Sequence, residues 1–370
     1  MIGLGLAGVS IGLSALLASA SVTPANDAWS RKLARRGVDP SIVQDPIAIT
    51  PAIRAAADEY SGRGGNVVDQ LRRMQSALFD KDAFHFDYEP GLTSTADDAL
   101  QARRGNCVAF TNLFIAMARS RGIHVKAGYL TPRVAGEKHG DLVYVNTHVV
   151  AVYQLFDRSV VFDFYGRRQD EVPRIRLLDD LELAALYVNN RAIAALSRGD
   201  LASAEAGLEA VVRLAPDFAG AHGNLGVLRR RRGDIPGALD AYRTALAIEP
   251  RNPAVLSNLA ALYLDTGHLR EAQTALRLAD MSTATVYTLV ARGDLELADG
   301  RPDDALKFYK RAARLDPDIP EPHLAIARLE KSRGNVRGAR KAAARALTIA
   351  PDNQEAQALS REIAEAQAER

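Results

Sequence analysis

The chain has 370 residues, with 47 basic and 45 acidic side chains and a formal net charge of +2 at pH 7. Hydrophobic residues make up 47% of it and charged residues 25%, which is the composition of a globular protein with two or three domains. Because the two charge signs nearly balance, we predict no nucleic acid partner. A single cysteine excludes an internal disulfide framework.

The first twenty residues are apolar, small and uncharged, and they end in Ala18-Ser19-Ala20, a pattern that a signal peptidase can cut. No Lys or Arg precedes the apolar run, so an uncleaved N-terminal membrane anchor is the alternative. A cleaved signal predicts a periplasmic or secreted protein. An anchor predicts a protein held at the inner membrane.

Helical spacing of apolar residues follows near residues 51–60 and 67–79, and again after Cys107, where a polar, glycine-containing loop ends. A thiol at a helix N-terminus lies at the positive end of the helix dipole, beside N–H groups that lack helical partners. Both features favour the thiolate. Cys107 is therefore a candidate nucleophile, the alternative being a small buried apolar residue.

Three later segments read as strands, which predicts an antiparallel sheet after the helices: 125–130, 142–155 and 159–165. On the second strand, alternation places His148 on one face with Val150 and Val152. On the third, Asp163 lies within a hydrophobic run, where an unpaired carboxylate is costly. Asp163 is therefore expected to have a partner.

The position of the turn between these two strands decides whether His148 is that partner. A turn at residues 156–157 sets Asp163 opposite Val150, one diagonal step from His148. A turn at residues 157–158 leaves Asp163 and His148 about four residues apart along the ladder, roughly 13 Å. The sequence leaves both pairings open.

The segment Arg104-Gly105-Asn106-Cys107, the helix after it, His148 and then Asp163 fifteen residues on together resemble the transglutaminase-like superfamily. That superfamily has a papain-related α+β fold with a Cys-His-Asp triad. The resemblance implies that Cys107 is the nucleophile, that His148 is general base and then acid, and that Asp163 orients the imidazole. The family commonly has an acidic residue at the position of Asn106, so this chain departs from the family pattern there.

Gln101, six residues before Cys107, has the offset of the oxyanion-hole residue in papain-like enzymes. The alternative is an exposed polar residue ahead of a helix. Bacterial relatives of this type are mostly proteases or amide hydrolases. Thiol acyl transfer needs no cofactor, so we predict neither a cofactor nor a metal.

A 34-residue period occupies the C-terminal half. Five glycines recur at spacings of 33 or 34 residues, each followed five residues later by alanine: Gly199, Gly233, Gly267, Gly300 and Gly334. Small residues also recur twelve positions before each of these alanines: Ala192, Gly226, Ala260, Gly293 and Ala327. The pattern resembles the tetratricopeptide repeat, which implies an all-α solenoid whose groove binds a protein or peptide partner.

The predicted order of domains is a signal peptide or anchor (1–25), a transglutaminase-like domain (45–172), a linker (173–182), five tetratricopeptide repeats (183–351) and a C-terminal capping helix (352–370). Together these features predict an exported cysteine-nucleophile hydrolase or acyltransferase, of the protease or amidase type. It would act on a protein or peptide amide, with the repeats recruiting substrate or partner. The alternative is a non-catalytic adaptor or scaffold of the cell envelope.

Overall fold

A computed structural model describes residues 24–130, 136–139, 142–145, 148–156, 158–163, 175–280, 285–351 and 353–368. Of the predicted signal peptide or anchor (1–25), residues 1–23 lie outside these ranges. Among the helices in the described ranges, none combines the length and the apolar character needed to cross a bilayer.

The N-terminal region alternates helices and strands: α1 (Pro24–Ala34), α2 (Pro51–Ser61), α3 (Val67–Phe79), β1 (Asp87–Tyr88), α4 (Ala96–Ala102), β2 (Arg104–Gly105), α5 (Cys107–Ser120), β3 (Val125–Leu130), β4 (Gly136–His139), β5 (Leu142–Val145), β6 (His148–Leu155), β7 (Arg158–Phe162) and β8 (Ile175–Leu178). In the described residues, β7, β6, β3 and β8 form a four-stranded antiparallel sheet in that order. The strands β4 and β5 form a separate hairpin, and β1 pairs with β2 in parallel.

Helix α5 is the core of this region, because every residue from its first to Ala118 is buried. It packs on β6 and β3. Phe114 stacks on Phe162 of β7, with ring centroids 4.9 Å apart. The hydroxyl of Thr111 donates to the carbonyl of Val149 on β6 at 3.1 Å. The helix that begins at Cys107 is thereby fixed to the strand that begins at His148.

The pairing of β6 with β7 resolves the two alternatives for the turn. Leu155 pairs with Arg158 and Ala151 with Phe162. Continued by one residue, this register sets Asp163 opposite Val150. The first of the two predicted pairings is therefore confirmed.

Eleven helices follow in the described part of the chain: α6 (Asp180–Ser197), α7 (Leu201–Leu214), α8 (Ala219–Arg231), α9 (Ile235–Ile248), α10 (Pro253–Asp265), α11 (Leu269–Asp280), α12 (Val286–Ala298), α13 (Pro302–Leu315), α14 (Glu321–Ser332), α15 (Val336–Ile349) and α16 (Gln354–Ala368). The first ten pack as five successive pairs, and α16 packs on α14 and α15 where a capping helix is predicted. The five periodic glycines link the helices of each pair with φ between 73° and 81°, a conformation that glycine adopts without strain.

In the first four pairs, the small residue of the period has a large side chain as its counterpart in the second helix. A Cβ on Gly226 would lie 2.4 Å from the ring of Tyr242, and one on Gly293 would lie 2.2 Å from the ring of Tyr309. The equivalent positions of the first and third pairs are an alanine and a leucine in one cluster: Ala192 with Leu208, and Ala260 with Leu276. Glycine therefore accompanies tyrosine in the second and fourth pairs, and alanine accompanies leucine in the first and third. The fifth pair has two alanines at these places, Ala327 and Ala343, in one cluster.

The predicted linker at 173–182 is wrong. Strand β8 within it pairs with β3, and α6 begins at Asp180. Arg119 of α5 bonds the Asp180 carboxylate at 2.9 Å. Leu183 lies in the same hydrophobic core as Phe114. Because the first repeat has apolar residues on the side that meets the N-terminal region, the two regions share one core instead of being joined by a free segment.

In its described residues, the predicted strand at 142–155 contributes to two different sheets. Its first part, β5, pairs with β4 and lies against α8 and α10. Its second part, β6, begins at His148 and belongs to the main sheet. The two parts therefore pack on different elements.

Candidate active site

The turn that precedes Cys107, residues 103–106, is built by local backbone geometry. Helix α4 ends at Ala102 and is capped by Arg103, whose φ is 53°, and β2 then pairs with β1. Asn106 is the N-cap of α5, and its side-chain oxygen accepts from the N–H groups of Val108 and Ala109. Cys107 is consequently the first residue of the helix, and its side chain is 9% exposed. The predicted place of the thiol at a helix N-terminus is what the structure shows.

Replacing Gly105 with alanine is expected to displace this turn. Its φ is 157°, and an added Cβ would lie 2.5 Å from the Cβ of Ala109, one turn into α5. Both groups are fixed to the backbone, so the helix start has to move. We expect a loss of stability of about 1–3 kcal/mol in denaturant unfolding, together with slower alkylation of Cys107. Alanine at Gly91, where an added Cβ meets nothing within 4 Å, is the matched control, and equal losses in both variants would contradict the steric argument.

His148 and Asp163 meet at one end of the sheet. His148 Nε2 lies 2.8 Å from Asp163 Oδ1, and the two side chains are 22% and 10% exposed. The amide of Gln75 on α3 donates to the Asp163 carbonyl at 3.0 Å, which holds the residue where β7 ends. Because Nε2 faces the carboxylate at this distance, Nδ1 is the ring nitrogen left to exchange a proton with Cys107.

The charge state of His148 follows from these partners. Burial alone lowers the pKa of the imidazole, but hydrogen bonds to Asp163 and Cys107 and the negative charges of both outweigh it, and the pKa rises from 6.5 to about 9. The imidazole is therefore protonated at neutral pH, and it carries a proton that it can deliver.

Gln101 is exposed on α4. Its amide nitrogen donates to Asp97 at 2.7 Å. The structure thus brings Cys107, His148 and Asp163 together, and it gives Gln101 a different partner. The supporting roles of Gln75 and Thr111 depend on contacts 88 and 38 residues away in sequence, and no local pattern indicates them.

Comparison with known families agrees with this architecture. The profile of the transglutaminase-like superfamily matches residues 54–154, which include Cys107 and His148 but not Asp163. Profiles of the tetratricopeptide repeat match residues 189–253, 229–293 and 296–363. The chain therefore carries a transglutaminase-like domain followed by tetratricopeptide repeats, as the sequence predicts. Such repeats bind other proteins or peptides.

Curated relatives match over parts of their length. The chain is 32% identical over 95 residues to the photosystem I assembly protein Ycf3 of Cyanophora paradoxa, covering 26% of this chain and 44% of that one. It is 36% identical over 135 residues to the cellulose synthase 2 operon protein C of Komagataeibacter xylinus, covering 36% and 10%. It is 29% identical over 139 residues to the type IV pilus assembly protein PilF of Pseudomonas aeruginosa, covering 36% and 54%.

Solved structures with similar folds include Pseudomonas aeruginosa PilF, at 22% identity and a TM-score of 0.40, covering 51% of this chain and 87% of that one. A thermophilic tetratricopeptide repeat protein of Thermus thermophilus has 22% identity and a TM-score of 0.45, covering 48% and 98%.

Proposed function

We propose that the protein is a cysteine-nucleophile acyl-transfer enzyme that acts on an amide of a protein or peptide. The observation that carries the proposal is the 2.8 Å contact of His148 with Asp163, with Cys107 as the second partner of the same imidazole. A nucleophile, a base within reach of it and a group that orients the base are the parts that this chemistry requires.

In the proposed reaction the Cys107 thiolate attacks the amide carbonyl, and a carbon–sulfur bond forms as the carbonyl oxygen becomes an oxyanion. His148 then delivers its proton to the leaving amine as the carbon–nitrogen bond breaks. Water or a second amine next attacks the thioester, His148 takes a proton from it, and the thiolate is released. Asp163 keeps Nε2 protonated, so that Nδ1 is the atom at which the proton moves.

The oxyanion needs hydrogen-bond donors. The backbone N–H of Cys107 is our first candidate, because the N–H groups of the first helical turn have no partners within the helix. The side chain of Asn106 accepts from those of Val108 and Ala109, the next two residues of this turn. Gln101 is the second candidate, and it has to release Asp97 in order to serve.

We further propose that the repeats recruit the substrate or a partner in the cell envelope, after export by the N-terminal segment. The support for this placement is the similarity to a type IV pilus assembly protein and to a cellulose synthase operon protein. The chain spans only 10% and 54% of the length of these relatives. A non-catalytic adaptor is the second candidate, favoured by the five helix pairs that occupy nearly half of the chain.

The test uses p-nitrophenyl acetate, an activated ester that acylates a reactive thiol. We expect release of p-nitrophenolate beyond one equivalent per protein, and an acetyl adduct on the Cys107 peptide by mass spectrometry. Both signals should disappear in Cys107→Ala, and His148→Ala should fail to turn over. Equal release by the native chain and Cys107→Ala would contradict the proposal and favour the adaptor.

The pH dependence of stability provides an independent prediction. A group whose folded pKa lies above its unfolded value stabilises the fold fully below the unfolded pKa, and this contribution is lost as pH rises through the folded pKa. For His148 the two values are 6.5 and about 9. Asp163→Asn should therefore lower the free energy of unfolding more at about pH 6 than at about pH 10, in denaturant titrations. A difference that is constant with pH would contradict the assigned charge state.

A further inference from the structure

The amide of Asn106 uses all of its hydrogen-bonding capacity. Its oxygen accepts from two helical N–H groups, and its nitrogen donates to the Pro90 carbonyl at 3.3 Å and to the Thr93 hydroxyl at 2.5 Å. The residue is only 6% exposed. A side-chain amide offers two donors and two acceptor sites, and here each has a partner. The start of α5 is therefore tied to the loop that contains Thr93.

Thr93 receives a second amide from the repeat array. The side-chain nitrogen of Asn190, on the first repeat helix α6, donates to the Thr93 hydroxyl at 3.4 Å. The same oxygen thus accepts from Asn106, which caps the nucleophile helix, and from Asn190, 97 residues away from Thr93. A continuous polar bridge joins the first repeat to the residue before Cys107.

Helix α6 is a firm support for this bridge. It shares a hydrophobic core with α5, and its first residue, Asp180, bonds both Arg119 and Lys32. The neighbouring Asn189 accepts from Asn224 of α8 at 2.9 Å in a buried contact. Beside Asn190, a second polar contact therefore joins the first helices of the first two repeats.

We propose that Asn190 is a positioning residue for Cys107, acting through Thr93 and Asn106, so that the first tetratricopeptide repeat is part of the catalytic apparatus. The inference rests on the proposed function and extends it. A Cys107 that is held by the array in this way loses reactivity when the bridge is cut, even though no repeat residue touches the thiol.

The test measures iodoacetamide alkylation of Cys107 in the full chain as a function of pH. We expect Asn190→Leu and Thr93→Val each to slow alkylation at pH 7 by about two- to tenfold and to move the labelling curve to higher pH. Thr93→Ser, which keeps the hydroxyl, should restore the native curve. The double variant should be no slower than the slower single variant, because both changes cut one bridge.

Asn252→Leu is the matched control, because Asn252 caps α10 in the array through a bond to the Val255 N–H. It should destabilise the array and leave the labelling curve unchanged. An Asn190→Leu curve equal to the native one, or a shift of equal size in Asn252→Leu, would overturn the inference. If native Cys107 itself reacts as slowly as in His148→Ala, the proposed function fails instead, which keeps the two failures distinct.

Discussion

Replacing His148 with alanine is expected to slow alkylation of Cys107 by iodoacetamide at pH 7 about tenfold. An ordinary cysteine thiol is only about 3% ionised at that pH, whereas a protonated imidazole beside it favours the thiolate. The pKa of His148 is raised to about 9, so the imidazole carries its charge throughout the neutral range. A stabilised thiolate is a weaker nucleophile, which partly offsets the larger fraction of thiolate. The expected change in labelling rate is therefore smaller than the change in thiolate fraction.

The control for this measurement is His323→Ala. His323 lies on α14, in the last helix pair, and its pKa is lowered by burial and by the charge of Arg345. This substitution should leave Cys107 labelling unchanged. Asp163→Asn should give an intermediate rate, because the imidazole remains but loses the carboxylate that keeps it charged. Equal labelling in the native chain and His148→Ala would show that no thiolate–imidazolium pair forms.

Alanine at Gly226 is expected to destabilise the array by about 1–3 kcal/mol through overpacking. Three atoms of the Tyr242 ring would lie between 2.4 and 2.8 Å from the new Cβ, and the ring is fully buried. The higher helix propensity of alanine opposes this by about 1 kcal/mol. We expect the steric effect to dominate, because the contact is with a rigid, buried ring.

The sharper form of this prediction is a double-mutant cycle. Tyr242→Leu alone should cost about 1–3 kcal/mol, since it leaves a cavity. Combined with Gly226→Ala, it recreates the alanine–leucine pair of the first and third repeats, and most of the stability should return. Denaturant unfolding measures the coupling. Alanine at Gly233, a turn glycine with open space around it, is the control that Tyr242→Leu should not rescue.

Much of the architecture could be predicted from local patterns. The periodic glycines predict the turns of the array, because each has the positive φ that glycine adopts readily. Apolar spacing predicts α2 and α3, and the polar-to-apolar change at Cys107 predicts where α5 begins. These features depend on residues within one or two turns of the chain, so the amino-acid sequence by itself determines them.

The pairing of His148 with Asp163 and the union of the N-terminal region with the repeats required tertiary structure. The sequence permits two turns before β7, and only the observed pairing of Leu155 with Arg158 brings Asp163 to His148. The sequence predicts a linker at 173–182, but strand β8 within it pairs with β3. Gln101 has the sequence offset of an oxyanion-hole residue, and its amide donates to Asp97. Each outcome depends on contacts between residues that are distant in sequence. Local sequence patterns hardly distinguish the alternative arrangements, and the packing free energy of the whole core selects one of them.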